Sequence, residues 1–319
     1  MTSTILQYQI ASTILRSLLA LVMLLSMLTP KTAFADETAT AADIATFSNR
    51  RIAVIIVGHP GDTDHVKLFN SSLEKIYAGL VAHYGFNVDD IHVFSGDADD
   101  EATAKTATTK LPATRESIAA ALEKLKTTMT ESDSLYVIAM GHTHFESGLA
   151  WFNLHGLDVQ QKGFAEMFNG FPAKEQIFII TTPCSGYYIR SLSGPGRYVI
   201  SATEADLEIN ETLSPHALAE VISLKPNAEW DLNKDQKLSL LEFYIALCQN
   251  VATRYSDETL IATEHGLLDD NGDGRGSELQ MNYLSEEQGG LPKNRQRQTL
   301  TEGRDGIASA GLQLTEFPK

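Results

Sequence analysis

The chain has 319 residues, 43% of them hydrophobic, and a formal net charge of −16. That is enough apolar material for one large core with room for an appendage, so a globally disordered chain is excluded. The acidic balance excludes nucleic acid as a partner, because phosphates demand a basic face, and otherwise favours solubility.

In chain order, Arg16 precedes an apolar run from Leu18 to Leu25 that fades by Leu28. The run is short for a bilayer span, which needs about 20 apolar residues, and has the length of a signal-peptide core. Ala33-Phe34-Ala35 supplies a small-x-small cleavage pattern, so residues 1–35 are read as a signal peptide, with an uncut N-terminal anchor as the alternative. Losing Arg16 and Lys31 would leave the mature chain two charges more negative. No second run approaches spanning length, so the expectation is a periplasmic or extracellular protein without stable membrane insertion once the signal is removed. Residues 36–50 are Ala/Thr-rich and read as a flexible lead-in.

Arg51 to Gly58 is a continuous apolar run ended by glycine, the habit of strands buried on both faces of a parallel sheet. Residues 64–84 carry helical spacing through Val66, Phe69, Leu73, Ile76, Leu80 and Tyr84. A strand over 88–94, an Asp/Thr/Ala-rich loop over 96–112 and a helix over 114–129 capped by Thr114 come next. A third strand, 134–140, stops at Gly141-His142. After a hairpin over 149–154 and a helix near 163–168, a fourth, 176–181, stops at Pro183-Cys184, and a fifth covers 197–202. Strands alternating with helices predict a doubly wound, mostly parallel α/β sheet over residues 51–225, which binds ligands at the carboxyl ends of its strands.

Two reactive side chains, His142 and Cys184, thus stand at the carboxyl ends of successive buried strands. A thiolate that attacks a carbonyl and an imidazole that moves the protons is the chemistry such a pair serves. A helix starting near Tyr187 would lower the thiol pKa through its dipole, and Ser185 and Gly186 leave room for a substrate backbone. By themselves these residues favour a packed cysteine and an incidental surface histidine over a catalytic pair. His144 is a rival to His142, and His59, after the first strand, could line the same crevice. The second cysteine, Cys248, lies in an apolar helical pattern and reads as a buried small hydrophobe, whereas Cys184, after a strand and Pro183 and before Ser185-Gly186, reads as open rather than buried. A Cys184–Cys248 disulfide is the default for two cysteines in an exported chain.

The strand ending in Gly141-His142, the segment Ile177 to Gly186 around Pro183-Cys184, and Tyr198 to Asp206 together resemble the caspase, metacaspase and legumain superfamily of cysteine peptidases. Trp151 to Leu154, Ser193 to Arg197 and Glu264 to Gly274 extend the resemblance to a bacterial exported legumain-like subgroup, over roughly residues 50–278. The resemblance implies an α/β/α sandwich, Cys184 as nucleophile and His142 as general acid/base. It implies an oxyanion hole from the backbone N–H groups of Cys184 and Thr143, and a protein or peptide as substrate. Two positions depart from the pattern. Thr143 stands where glycine is usual and would be strained at positive φ. Thr182 stands where basic-specific relatives carry an aspartate in the primary specificity pocket, which leaves Glu204 and Asp206 as the acidic groups available from the next strand.

Two acidic loops follow in a helical extension spanning 226–284. Asp231, Asn233, Asp235, Lys237, Ser239 and Glu242 match the ligand positions of an EF-hand calcium loop, with Gln236 where glycine makes the turn. Asp269, Asn271 and Asp273 begin a second loop that has the glycine but carries Gln280 at the glutamate position, with Glu278 nearby as a substitute. A solvated acidic turn is the alternative for the first loop and an Asx-stabilised turn for the second. Residues 285–319 are polar and read as a mobile tail. The sequence leaves oligomeric state open. The competing functional reading is an inactive caspase-like scaffold that binds calcium and peptide. A serine-type α/β hydrolase is disfavoured because the chain has no Gly-x-Ser-x-Gly elbow.

Overall fold

The computed structural model describes residues 50–97, 110–206, 208–296 and 299–317. The expected signal peptide, almost all of the lead-in and most of the loop at 96–112 lie outside the described residues. The described residues belong to one compact unit.

The strands are β1 (Arg51–Val57), β2 (Ile91–Ser95), β3 (Lys110–Pro112), β4 (Ser134–Met140), β5 (Thr143–Glu146), β6 (Leu149–Phe152), β7 (Val159–Gln160), β8 (Glu175–Ile180), β9 (Arg197–Ser201), β10 (Lys237–Ser239), β11 (Leu267–Asp269) and β12 (Gln313–Glu316). Seven of them make the central sheet, in the order β11-β9-β8-β4-β1-β2-β3. All neighbours in it are parallel except β11, which runs antiparallel to β9. The expected α/β class with a mostly parallel sheet is therefore present.

The helices are α1 (Thr63–His83), α2 (Arg115–Thr128), α3 (Gln161–Met167), α4 (Gly186–Leu192), α5 (Ser214–Ser223), α6 (Leu240–Asp257) and α7 (Ile307–Gly311). They cover both faces, which is why β1 and β4 are buried at every position. Alternation along β1 sends Ile52, Val54 and Ile56 to a core with α2, α3 and α4, where Ile118, Phe164 and Tyr188 sit. Ala53, Ile55 and Val57 face the other core, built on Leu73 and Ile76 of α1, Leu218 of α5 and Phe243 of α6. Each such side chain contributes about 1.5–3 kcal/mol by leaving water. The helix starts are set locally: Thr114 Oγ1 accepts from the Ser117 N–H at 3.1 Å, and Ser239 and Glu242 form a capping box on α6.

Two expectations change. The strand expected over 88–94 is a 3-10 turn followed by β2, and the hairpin over 149–154 is the middle of a three-stranded sheet, β5-β6-β7. Segments from the stretches expected as extension (226–284) and tail (285–319) also pair in sheets. β11 is part of the central sheet, and β12 pairs with β10. Buried Arg51 ties the chain end to β1, donating through Nη1 to the carbonyls of Tyr84 at 2.8 Å and Leu314 at 2.5 Å. The polar composition of 285–319 hid this, because among its described residues only Leu312, Leu314 and Phe317 are buried members of the core. No helix among the described residues is long and apolar enough to cross a membrane.

Candidate functional site

β4 and β8 are adjacent and in parallel register, with Ala139 opposite Ile180 and the Thr181 N–H on the Ala139 carbonyl at 2.9 Å. The chains leaving their carboxyl ends, Gly141-His142 and Thr182-Pro183-Cys184, therefore start side by side. The Gly141 φ of 137° is one that a side chain would strain, and an added Cβ would lie 2.9 Å from the Gly58 backbone, so glycine is required before His142.

His142 is held on two sides. Its Nε2 lies 3.0 Å from the carbonyl oxygen of Pro60. A carbonyl only accepts, so Nε2 carries the hydrogen and Nδ1 keeps the lone pair. Its ring packs edge-on against His65 at 4.6 Å between centroids and against Phe69 at 5.4 Å, both from the first turns of α1. Asp62 caps α1 by accepting from the Asp64 and His65 N–H groups at 2.9 Å, and its other oxygen meets the His65 ring at 2.7 Å. Those backbone hydrogen bonds and the imidazole hold its carboxyl down at about 2. On its far side His65 contacts Glu211 at 2.8 Å. Together the two carboxylates raise the His65 pKa against the opposing effect of burial. The sequence reading missed Pro60, His65 and Glu211; an Asp-x-x-His start of a helix following the first strand was the available signal.

Cys184 has φ +56°, in the left-handed region, and is 0% exposed. This differs from the expected open setting, because the residue joins the apolar cluster beneath α4. Its thiol is pushed up by burial, opposite to the expected lowering by the α4 terminus. Ser185, also buried, fastens the turn to the end of β9: its Oγ accepts from the Ala202 N–H at 2.9 Å and the Thr203 N–H at 3.0 Å. Tyr188 of α4 lies beside both the Cys184 thiol and the Thr143 hydroxyl, although neither hydroxyl completes a hydrogen bond of normal geometry. Thr143 opens β5 opposite Phe152 and does not have positive φ, so the threonine is not strained there. The Cys184 N–H, expected as an oxyanion donor, instead donates to the carbonyl of Glu208 at 3.2 Å.

Of the other residues singled out, His59 is exposed, stacks on His155 at 6.2 Å and accepts from the Gly61 N–H. His144 is exposed against Trp151 and Asn153. Thr182 is buried, with its hydroxyl donating to the Pro183 carbonyl at 3.1 Å. Glu204 is half-buried beside Glu278, and Asp206 is exposed. A cavity of about 130 Å³ behind β8 and β9 is lined by Thr181, Ala202, Cys248, Glu264, His265 and Glu278 among others, but not by Cys184 or His142.

Both cysteines are free thiols. Burial raises Cys248 to about 12, so on the order of 10⁻⁴ of it is ionised at pH 8. Alkylation of the folded protein at that pH is expected to leave Cys248 unmodified, whereas unfolding in urea exposes it; peptide mass mapping reads both.

The two acidic loops have the same construction. In the first, Asp231 accepts from the Asp235 and Gln236 N–H groups, Asn233 from Asp235 and Asp235 from Lys237. In the second, Asp269 accepts from Gly272 and Gly274, Asn271 from Asp273 and Asp273 from Arg275. The fourth and sixth residues of each loop have positive φ, so Gln236 adopts the backbone expected of glycine. Glu242 closes the first loop, one oxygen on the Leu232 N–H and the other on the Ser239 hydroxyl. In the second loop those two contacts, to the Asp270 N–H and the Ser277 hydroxyl, come from Asp305. Gln280 instead accepts from Tyr244, and Glu278 pairs with Glu204, so neither closes the loop. Among the described residues no three His, Cys, Asp or Glu side chains yet converge on a metal position. No protein-family model and no curated protein sequence matches the chain.

Proposed function

We propose that the chain is an exported cysteine endopeptidase of the caspase–legumain kind, hydrolysing peptide bonds through a Cys184 thioacyl intermediate. The observation that carries the reading is the paired strand ends: Cys184 in a left-handed turn after β8, and His142 after β4 with Nε2 committed to the Pro60 carbonyl. The sheet with helices on both faces supports the caspase-like sandwich. In the reaction Cys184 Sγ bonds to the substrate carbonyl carbon while its proton passes to His142 Nδ1. His142 then protonates the leaving amine and activates the water that releases the acid. Thr143 N–H and the freed Cys184 N–H would receive the oxyanion. The test is labelling with a panel of peptidyl acyloxymethylketones, followed by peptide mapping. Modification at Cys184 with a preference among probes supports the peptidase, and no labelling by any probe of reduced, folded protein overturns it. The second reading, an inactive scaffold, is favoured by the full burial of Cys184 and by Glu208 on its N–H.

Calcium at the two loops belongs to the same proposal. The donors are all oxygen, which suits this hard cation. Asp269 and Asp305 are 0% and 4% exposed, and no basic side chain among the described residues pairs with either. Asp231, Asn233, Asp235 and Glu242 would hold one ion, with the Lys237 carbonyl and Ser239 completing the set. Asp269, Asn271, Asp273 and, from the chain end, Asp305 would hold the other. Calcium at one hundred times its Kd would stabilise the fold by roughly 2.7 kcal/mol per site. Thermal unfolding with and without chelator is expected to show this rise, with Glu242→Gln and Asp305→Asn each removing part of it. An unchanged melting temperature in calcium overturns the assignment.

A further inference from the structure

Glu208 makes contacts that nothing in the catalytic reading requires. Its carbonyl accepts from the N–H of Cys184, the group that would otherwise face an oxyanion. Its carboxylate accepts from the Glu204 N–H at 2.7 Å and from His265, at both the backbone N–H (3.2 Å) and ring Nδ1. Further along the same segment, Thr212 Oγ1 donates to the Thr181 carbonyl at 2.5 Å and Glu211 meets His65. Residues 208–212 are thus fixed at three points around the two strand ends, and the nucleophile beneath is 0% exposed.

We propose that this is an autoinhibitory contact: the Glu208 carbonyl occupies the oxyanion position, and the Glu208–His265 pair is the clamp that holds it there. The proposal rests on the peptidase reading. The blocking group is a backbone carbonyl with the lone pairs of a substrate carbonyl oxygen, so it fills the donor that a substrate would use. Movement of this short segment would leave Ser185 fastened at the end of β9 through its own Oγ, which does not involve Glu208. His265 lies outside both strand ends, on the chain that leads into β11, so a ligand or partner that draws it away would unblock the site.

Glu208→Ala and His265→Ala each cut the clamp without touching His142 or Cys184. Both variants are expected to raise the rate of Cys184 alkylation by iodoacetamide about tenfold, the loss of a charge-assisted hydrogen bond. The double variant should gain no more than either single, and Cys248 should stay unmodified. Unchanged Cys184 alkylation in both variants overturns the proposal, as does faster alkylation of Cys184 and Cys248 together, which would report general loosening. If iodoacetamide reacts faster but neither peptide nor acyloxymethylketone does, the contact stands and the peptidase reading falls. If the unaltered chain turns over peptides as fast as the variants, the peptidase reading stands and the contact does not inhibit. Hydrogen exchange on the unaltered chain decides independently of any variant's folding. The Cys184 amide should exchange well before those of Phe178 and Ile179, and exchange only on global unfolding would make Glu208 a fixed part of the fold.

Discussion

Replacing His142 with alanine is expected to lower kcat/KM for peptide substrates by about 10²–10⁴-fold, the usual contribution of a positioned general acid/base. Cys184→Ala should abolish turnover and all probe labelling. The reason lies in the protonation chemistry of this site. The thiol is raised by burial, so little thiolate is present without a base to take its proton. The Pro60 carbonyl fixes the hydrogen on Nε2, which leaves the lone pair on Nδ1. The measurement is kcat/KM on the best peptide found with the probes, alongside the iodoacetamide rate at Cys184. A His142→Ala variant with unchanged probe labelling would show that His142 is an ordinary surface ring, and the peptidase mechanism would be lost with it.

The largest expected effect on stability comes from a residue with no chemistry. Gly79 sits where α1 crosses α5, and a Cβ there would lie 2.1 Å from the Ile222 carbonyl oxygen. That neighbour is helix backbone and cannot rotate away, so Gly79→Ala must push the helices apart and open the Leu73, Ile76, Leu218 and Ile222 core. The expected cost is about 3 kcal/mol, or roughly 6–12 °C in Tm for a chain of this size. Because α1 also carries His65 and Phe69 against His142, activity should fall at temperatures well below the melting point. Thermal unfolding followed in parallel with peptide turnover checks both, and an unchanged Tm would mean that the close approach of α1 and α5 is not a packing constraint.

The sequence by itself determined the elements whose burial pattern is one-dimensional. β1 and β4 were legible to the residue because both faces are covered and every position must be apolar. α2 was legible from Thr114 and its spacing. Both candidate reactive residues were legible because strand ends are marked by Gly141 and Pro183. What only the tertiary structure decided is what happens between segments distant in sequence. Cys184 was read as open, yet it is buried, because an apolar cluster and the segment at Glu208 close over a turn whose own residues are small and polar. Asp305 was unreadable as the closing carboxylate of the second acidic loop, since 35 residues separate it from Asp270 and nothing in the local pattern links them. β12 was hidden by a polar stretch whose few apolar side chains find their partners only through Arg51 and β10. Local periodicity reports which face of an element is buried, but not which distant group completes a hydrogen bond or covers a side chain, and at this site those long-range contacts set the surroundings of Cys184.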